Sequence, residues 1–367
     1  MTRVHIDRHK HLRDQPQTGH NRWHPDIPPI AEVGPGEEIT LETRDGADAY
    51  LNPASTAADL AGLPPAVIHP LTGPIRVHGA HPGDLLAVEF LDIAPEPWGY
   101  TLILPGGGYL PDLLNQPYLA HWHCADGWAT SPQIPGVRIP GAPFMGISGV
   151  APSRDQLQQW SQREADLVAR GGFAFLPEAD MAVPAAVAQD GLRTIPPRGN
   201  GGNLDIKQLT AGTTLLLPVA VEGALFSTGD GHFAQGDGEV CLTAIEMGAT
   251  CTVRFGIRSG EAERRNIRGP RYERSTPQPD TPGGLPPRFV ATTGIPVDKD
   301  GVNHGADLNL AARNALLGML ELLQQRGYDQ EQAYVICSVA VDLRISSLVN
   351  VPNVVVSAIL PEDIFTG

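Results

Sequence analysis

Glycine and proline interrupt this chain so often that its apolar runs stay short, which argues against a helical bundle. With 41 glycines and 35 prolines among 367 residues, many short strands joined by turns absorb the breaks far better than helices do. Glu38–Thr43, Thr101–Leu104, Gly146–Val150 and Thr213–Val221 read as such strands. From His69 to Phe90 a period-two pattern around Pro82-Gly83-Asp84 predicts two strands with a tight connection. Tyr334–Val341 and Val354–Leu360 also read as strands, and Ala120–Arg138, with Trp122 and Trp128, as a long ordered loop. Two helices stand out. One opens on the capping box Ser153–Gln156, buries Leu157, Trp160, Leu167 and Val168, and stops at Gly171-Gly172. The other runs from about Leu308 to Arg326 with Ala312, Leu316, Met319 and Leu323 on one stripe. Gly269–Pro287 is too rich in proline for a regular element and reads as a surface loop. The fold class expected is α+β, predominantly β: packed antiparallel sheets, sandwich-like, with a few helices. One domain spans residues 1–367, with β-rich halves at 20–150 and 199–363.

Charge and cysteine usage remove several function classes. A net charge of −15 excludes a nucleic-acid partner, because phosphate binding rests on a basic surface. No stretch approaches the roughly 20 apolar residues of a membrane span. The N-terminus has no apolar signal core, and Cys124, Cys241, Cys251 and Cys337 show no C-x-x-C spacing. The expectation is a soluble cytoplasmic protein with reduced, buried thiols.

The chemistry concentrates between Gly199 and Met247. Asp230-Gly-His232-Phe-Ala-Gln235-Gly-Asp237-Gly-Glu239 places five metal-capable or proton-handling side chains within ten positions. Intervening glycines allow sharp turns and close approach, so carboxylates, an amide and an imidazole can converge on one cation. Asn203-Leu-Asp205-Ile-Lys207 supplies a second polar cluster. Turn formation alone accounts for much Gly/Asp/Asn content, and Asp237 between two glycines reads that way. A solvated turn has no need of His232, however. Nucleophile chemistry fits less well. Gly146-Ile-Ser148-Gly149-Val150 lacks the last glycine of a nucleophile elbow, and Cys124, near His121 and His123, reads as a structural thiol.

Taken together, these motifs resemble the acetamidase/formamidase family. The resemblance rests on Thr72-Gly73-Pro74 with Pro82-Gly83-Asp84, Ala129–Arg138, Gly149–Ser153 and Gly201–Lys207. It continues through Gly229–His232, Gln235–Glu239, Ala244–Glu246, Asp342–Ser346 and Val351–Asn353. It covers roughly residues 20–265 and 290–363 and implies a β-rich fold, hydrolysis of formamide or acetamide, and a homodimer or other small homo-oligomer. His69 and His78 fall on no motif position of a ligand and are treated as packing or surface residues.

Such an activity needs a polarised carbonyl and a nucleophilic water, which a Zn²⁺-type ion provides together. Asp205 and His232 are assigned to the metal, with Asp230 or Glu239 as third ligand and the remaining carboxylate as general base. Asn203 and Gln235 orient the amide, and Lys207 joins the catalytic groups at the oxyanion. Glu246 would face away from Glu239 if the strand alternated strictly, so only a bulge admits it. The competing reading is a non-catalytic β-rich binding protein stapled by Ca²⁺, or a family amidase for another small amide. An imidazole favours zinc over calcium, and the EF-hand pattern is missing.

Overall fold

The structure is a computed structural model that describes residues 2–274, 286–349 and 351–366. It is α+β and mostly β, with two large sheets that are antiparallel except for two parallel pairings. A six-stranded sheet runs in the order Thr2–Val4, Glu38–Thr43, Ala249–Arg258, Leu85–Pro95, Thr214–Pro218, Arg271–Glu273. Alternate burial along Ala249–Arg258 is what a strand with one face on the core requires. The second sheet has eleven strands. Its centre places Trp98–Ile103, Glu246–Met247, Phe226–His232 and Phe144–Gly149 side by side, with Gly201–Asn203 beyond. Leu71–Val77 joins Phe226–His232 as a branch. Both sheets draw strands from each half of the chain.

One hydrophobic core unites them. Ile39, Leu41, Phe90, Val253 and Phe255 of the smaller sheet pack in the same cluster as Ile103, Trp122, Phe226 and Met247 of the larger. Leu316, Met319 and Leu323 of helix Leu308–Gln325 extend it toward a three-stranded sheet, Phe289–Gly294, Val355–Pro361 and Asp342–Ser347. Among the described residues no helix is long and apolar enough to cross a membrane.

Several expectations hold, and the departures have physical causes. The capping box at Ser153 and Gln156 opens helix Arg154–Ala169, and Leu157 and Trp160 pack with Trp23, Leu71, Ile147 and Leu192. Leu167 and Val168, in the last turn of the helix, are instead exposed. Ala120–Arg138 is not a loop but three strands, Tyr118–Ala125, Trp128–Ser131 and Ile134–Pro140, joined by tight turns at Gly127 and Pro132-Gln133. Tyr334–Val341 is not a strand but part of helix Gln330–Ala340, capped by Asp329 and buried from Ala333 to Ala340. A helix apolar all round loses the amphipathic signature that separates it from a buried strand. The two strands between His69 and Phe90 form, yet they enter different sheets, so the Pro-Gly-Asp turn is a crossing between layers. Within Gly269–Pro287, Arg271–Glu273 does pair, with Thr214–Leu216; residues 275–285 lie outside the described residues.

Candidate metal and catalytic site

Asp230 and His232 lie two residues apart on strand Phe226–His232, so both side chains leave the same face. The glycines between and before them are sterically required. A Cβ on Gly229 would lie 2.6 Å from Pro70 O, and one on Gly231 would lie 2.8 Å from the Ala249 Cβ. Neighbouring strands then fix the partners. Glu246 is the register partner of His232 on one side, and Phe144 is its partner on the other, with its ring edge-on to the imidazole at 5.0 Å. Asp205 arrives from the turn after Gly201–Asn203, where Leu204 and Asp205 both donate their N–H to Gly146 O (3.0 and 3.2 Å). Glu239 arrives from the turn that follows Gln235.

The result is a buried knot of carboxylates and imidazoles. His232 Nε2 lies 3.1 Å from Glu246 Oε1, 3.5 Å from Asp230 Oδ2 and 4.0 Å from Glu239 Oε1. Asp205, Asp230 and His232 offer donor atoms within 4.8 Å of one another, as do His232, Glu239 and Glu246. Asp205 Oδ1, Asp230 Oδ1 and His232 Nε2 are buried without a hydrogen-bond partner. Asp205 (φ +46°), Asp230 (φ +58°) and Glu239 (φ +44°) all occupy the left-handed region, which costs energy in a side chain-bearing residue and clusters at functional sites.

Gln235 decides how His232 presents itself. Its Nε2 donates to Asp205 O (2.8 Å), so its Oε1 is the end that accepts from His232 Nδ1 (3.0 Å). That hydrogen bond places the proton on Nδ1 and aims the Nε2 lone pair at the carboxylates, as a metal-ligating histidine requires.

Electrostatics show what the knot lacks. Burial, then the Asp230 charge, pushes Asp205 up to about 7 against the pull of His232. Burial raises Glu246 to about 8, and burial with the Asp205 charge holds Glu239 well above the usual carboxylate range. Asp230 alone falls: its burial is outweighed by the His69 and His232 imidazoles beside it. Burial by itself lowers His232, but Glu246 and Asp230 overcome it and raise the ring well above its ordinary value. Three carboxylates whose ionisation is suppressed by burial and neighbouring charge, and a fourth, Asp230, that the imidazoles hold ionised, form a set that a divalent cation satisfies. A mixed nitrogen and oxygen donor set of this kind suits zinc and its neighbours.

The structure thus brings together Asp205, Asp230, His232 and Glu239, with Gln235 behind them. Glu246 joins them without a bulge, because the chain turns between Glu239 and the two-residue strand Glu246–Met247, so strand alternation does not link the two. Asn203 sits beside Asp205 with its Oδ1 buried and unpartnered. Lys207 departs from expectation: its ammonium is engaged by Asp342, with Asp237 at 3.9 Å. His69, set aside in the sequence, is at the site, its Nε2 3.9 Å from Asp230 Oδ2. Nothing local marks it, since it precedes its strand in a Pro-flanked turn and reaches Asp230 only through sheet pairing. Cys124 is buried, and burial pushes its thiol up to about 12; His121 is occupied by Ser55 O (2.8 Å) and Trp98 (3.2 Å). No activated thiolate forms there.

The chain is 40% identical over 362 residues to the acetamidase of Mycolicibacterium smegmatis, covering 90% of this chain and 87% of that one. It is 35% identical over 385 residues to the formamidase of Methylophilus methylotrophus, covering 99% and 93%. Its fold superposes on a gamma lactamase from Delftia acidovorans with a TM-score of 0.94 at 35% identity, covering 100% and 94%. A family model matches residues 5–367 throughout, and the chain belongs to the acetamidase/formamidase family.

Proposed function

We propose that this protein hydrolyses a short-chain aliphatic amide, formamide or acetamide, to its carboxylate and ammonia, with Zn²⁺ held by Asp205, Asp230 and His232. The observation that carries the reading is the set of buried, unpartnered donor atoms on those three residues inside a family of amide hydrolases. When bound, such an ion supplies Lewis-acid polarisation of the carbonyl and brings the pKa of water to about 7. The chain's own groups supply the remainder. Glu239 has 16% of its side chain open, against 6% for Glu246, so Glu239 is the carboxylate that meets water and substrate. Its raised pKa suits a group that takes a proton from water and returns it to the departing nitrogen. Glu246, accepting from Ala244 N–H (3.0 Å) and paired to His232, positions the imidazole. Asn203, whose Oδ1 is buried and unpartnered, is assigned to accept from the amide N–H, whereas Gln235 orients His232 and Asp205 instead of substrate. Lys207, engaged by Asp342, ties the Asp205 turn to the Asp342–Ser347 strand.

A cyclic amide is a second reading, because the gamma lactamase relative superposes over the whole chain. A calcium-stapled binding protein fits less well than an amidase, since a calcium staple leaves the imidazole of His232 unexplained. The four cysteines are all free and buried, which suits a reducing compartment, taken here as the cytoplasm. Leu348, Val349 and Val351 stand exposed at the tip of the last hairpin and offer an apolar contact for a small homo-oligomer.

Ammonia release from formamide and acetamide, before and after chelation and with Zn²⁺ added back, tests the reading. Chelator-sensitive release restored by zinc is expected. Release that survives complete metal removal refutes the metal assignment, and no release from the zinc-loaded protein refutes the amidase.

A further inference from the structure

His69 is built into the site with more care than a packing residue needs. Thr194 clamps its main chain from both sides, its Oγ accepting from His69 N–H (2.6 Å) and donating to His69 O (3.3 Å). The imidazole nevertheless ends without a hydrogen bond. Nδ1 is buried and unpartnered, and Nε2 faces Asp230 Oδ2 at 3.9 Å, beyond hydrogen-bonding reach. Nε2, the end of the ring with no acceptor within hydrogen-bonding reach, is therefore free to donate to a partner that arrives from outside.

Its place in the knot says which partner. Neither group of residues able to share one ion includes it. It has 15% of its side chain open, against 1% for His232 and 5% for Asp230, so it is the more accessible of the two imidazoles. The carboxylates around it, Asp230 and Glu246, converge beside Gly46 within 3.4 Å of the point where a Cβ would stand, and they are acceptors. Asp230 facing Nε2 favours the tautomer with the proton on that nitrogen. Attack on an amide carbonyl develops negative charge on oxygen, and that oxygen needs a preorganised donor. Lys207 is occupied elsewhere.

We propose that His69 is a catalytic residue whose Nε2–H donates to the carbonyl oxygen of the substrate amide and strengthens that bond as the oxyanion forms. The proposal rests on the amidase reading above. It gives the carbonyl oxygen to His69 and leaves the proton transfers to Glu239.

The test compares His69→Ala, His69→Gln and His69→Asn in the zinc-loaded protein, reading kcat and KM on formamide and acetamide, metal content and Tm. His69→Ala is expected to keep its metal and lose about 10²–10³-fold in kcat, as removal of one oxyanion donor does, with KM changed far less. His69→Gln, whose amide N–H₂ reaches the place of Nε2, is expected to recover about tenfold, and His69→Asn, which mimics Nδ1, is expected to recover nothing. Wild-type kcat in His69→Ala overturns the proposal. So does loss of metal, which makes His69 a ligand, or equal impairment of the Gln and Asn variants, which makes the ring a packing element. If none of the variants folds, the packing reading likewise replaces it. Failure of the amidase reading shows separately, as a zinc-loaded wild-type protein that releases no ammonia from any short amide.

Discussion

Gly146→Ala should dismantle the metal site with a single methyl group. Gly146 lies in strand Phe144–Gly149, where its Cα faces the cluster. A Cβ there would stand 2.6 Å from Asp205 Oδ1, 2.9 Å from His232 Cε1 and 3.0 Å from Asp230 O. Ordinary van der Waals contact begins at 3.4 Å, so Asp205 Oδ1 must retreat by about 0.8 Å and the His232 ring by about 0.5 Å. Metal–ligand distances tolerate only about 0.2 Å, so both ligands are driven out of range. The third neighbour is backbone of the paired strand, Met145 opposite Gly231, and cannot recede without breaking the ladder. Overpacking of this kind costs about 1–3 kcal/mol, which taken as lost binding is roughly 5–150-fold in metal affinity. Competition with a chromogenic chelator measures that affinity, and thermal unfolding of the chelated protein measures the strain alone. Gly62→Ala, with nothing within 4 Å of its Cβ, is the control. Wild-type zinc affinity in Gly146→Ala would refute the placement of the ion between Asp205 and His232.

Two further outcomes follow from the same geometry. Asp205→Asn is expected to lose metal, whereas Glu239→Gln keeps metal and loses about 10²–10⁴-fold in kcat; metal analysis beside steady-state kinetics decides it, and reversed effects exchange the two roles. Away from the site, His20 is buried against Ser227 Oγ (2.7 Å), and burial lowers its imidazole to about 4. The unfolded chain takes up that proton near pH 6.5 and the folded chain does not, so stability is fully present above pH 6.5 and is lost as pH falls toward 4. The loss is about 3 kcal/mol at most. His20→Gln should flatten Tm against pH in that window relative to wild type, and parallel curves would remove His20 from the acid response.

Much of this was legible because it is local. The capping box at Ser153, the glycine stops and strand Glu38–Thr43 each depend on neighbours a few residues away, and the chain forms them where the pattern places them. Asp230 and His232 were legible as a close pair in the chain, but the strand that puts them on one face, Phe226–His232, emerges only in the structure. Helix Gln330–Ala340 was hidden because burial on every side erases periodicity. The three strands at Tyr118–Pro140 were hidden because their apolar and polar residues are mixed with turn residues. Lys207 belongs to a local polar cluster, yet nothing local points to Asp342, 135 positions away.

The sequence by itself determined the family, the β-rich class, and the types of side chain available to hold a cation. Only the tertiary structure decided which of them meet. His69 precedes one strand, Glu246 lies on another and Asp205 follows a third, and antiparallel pairing across the sheet brings all of them to His232 and Asp230. Convergence of that kind is a property of register between distant strands, and register is fixed by packing of the whole sheet against the core, which no short stretch of sequence encodes.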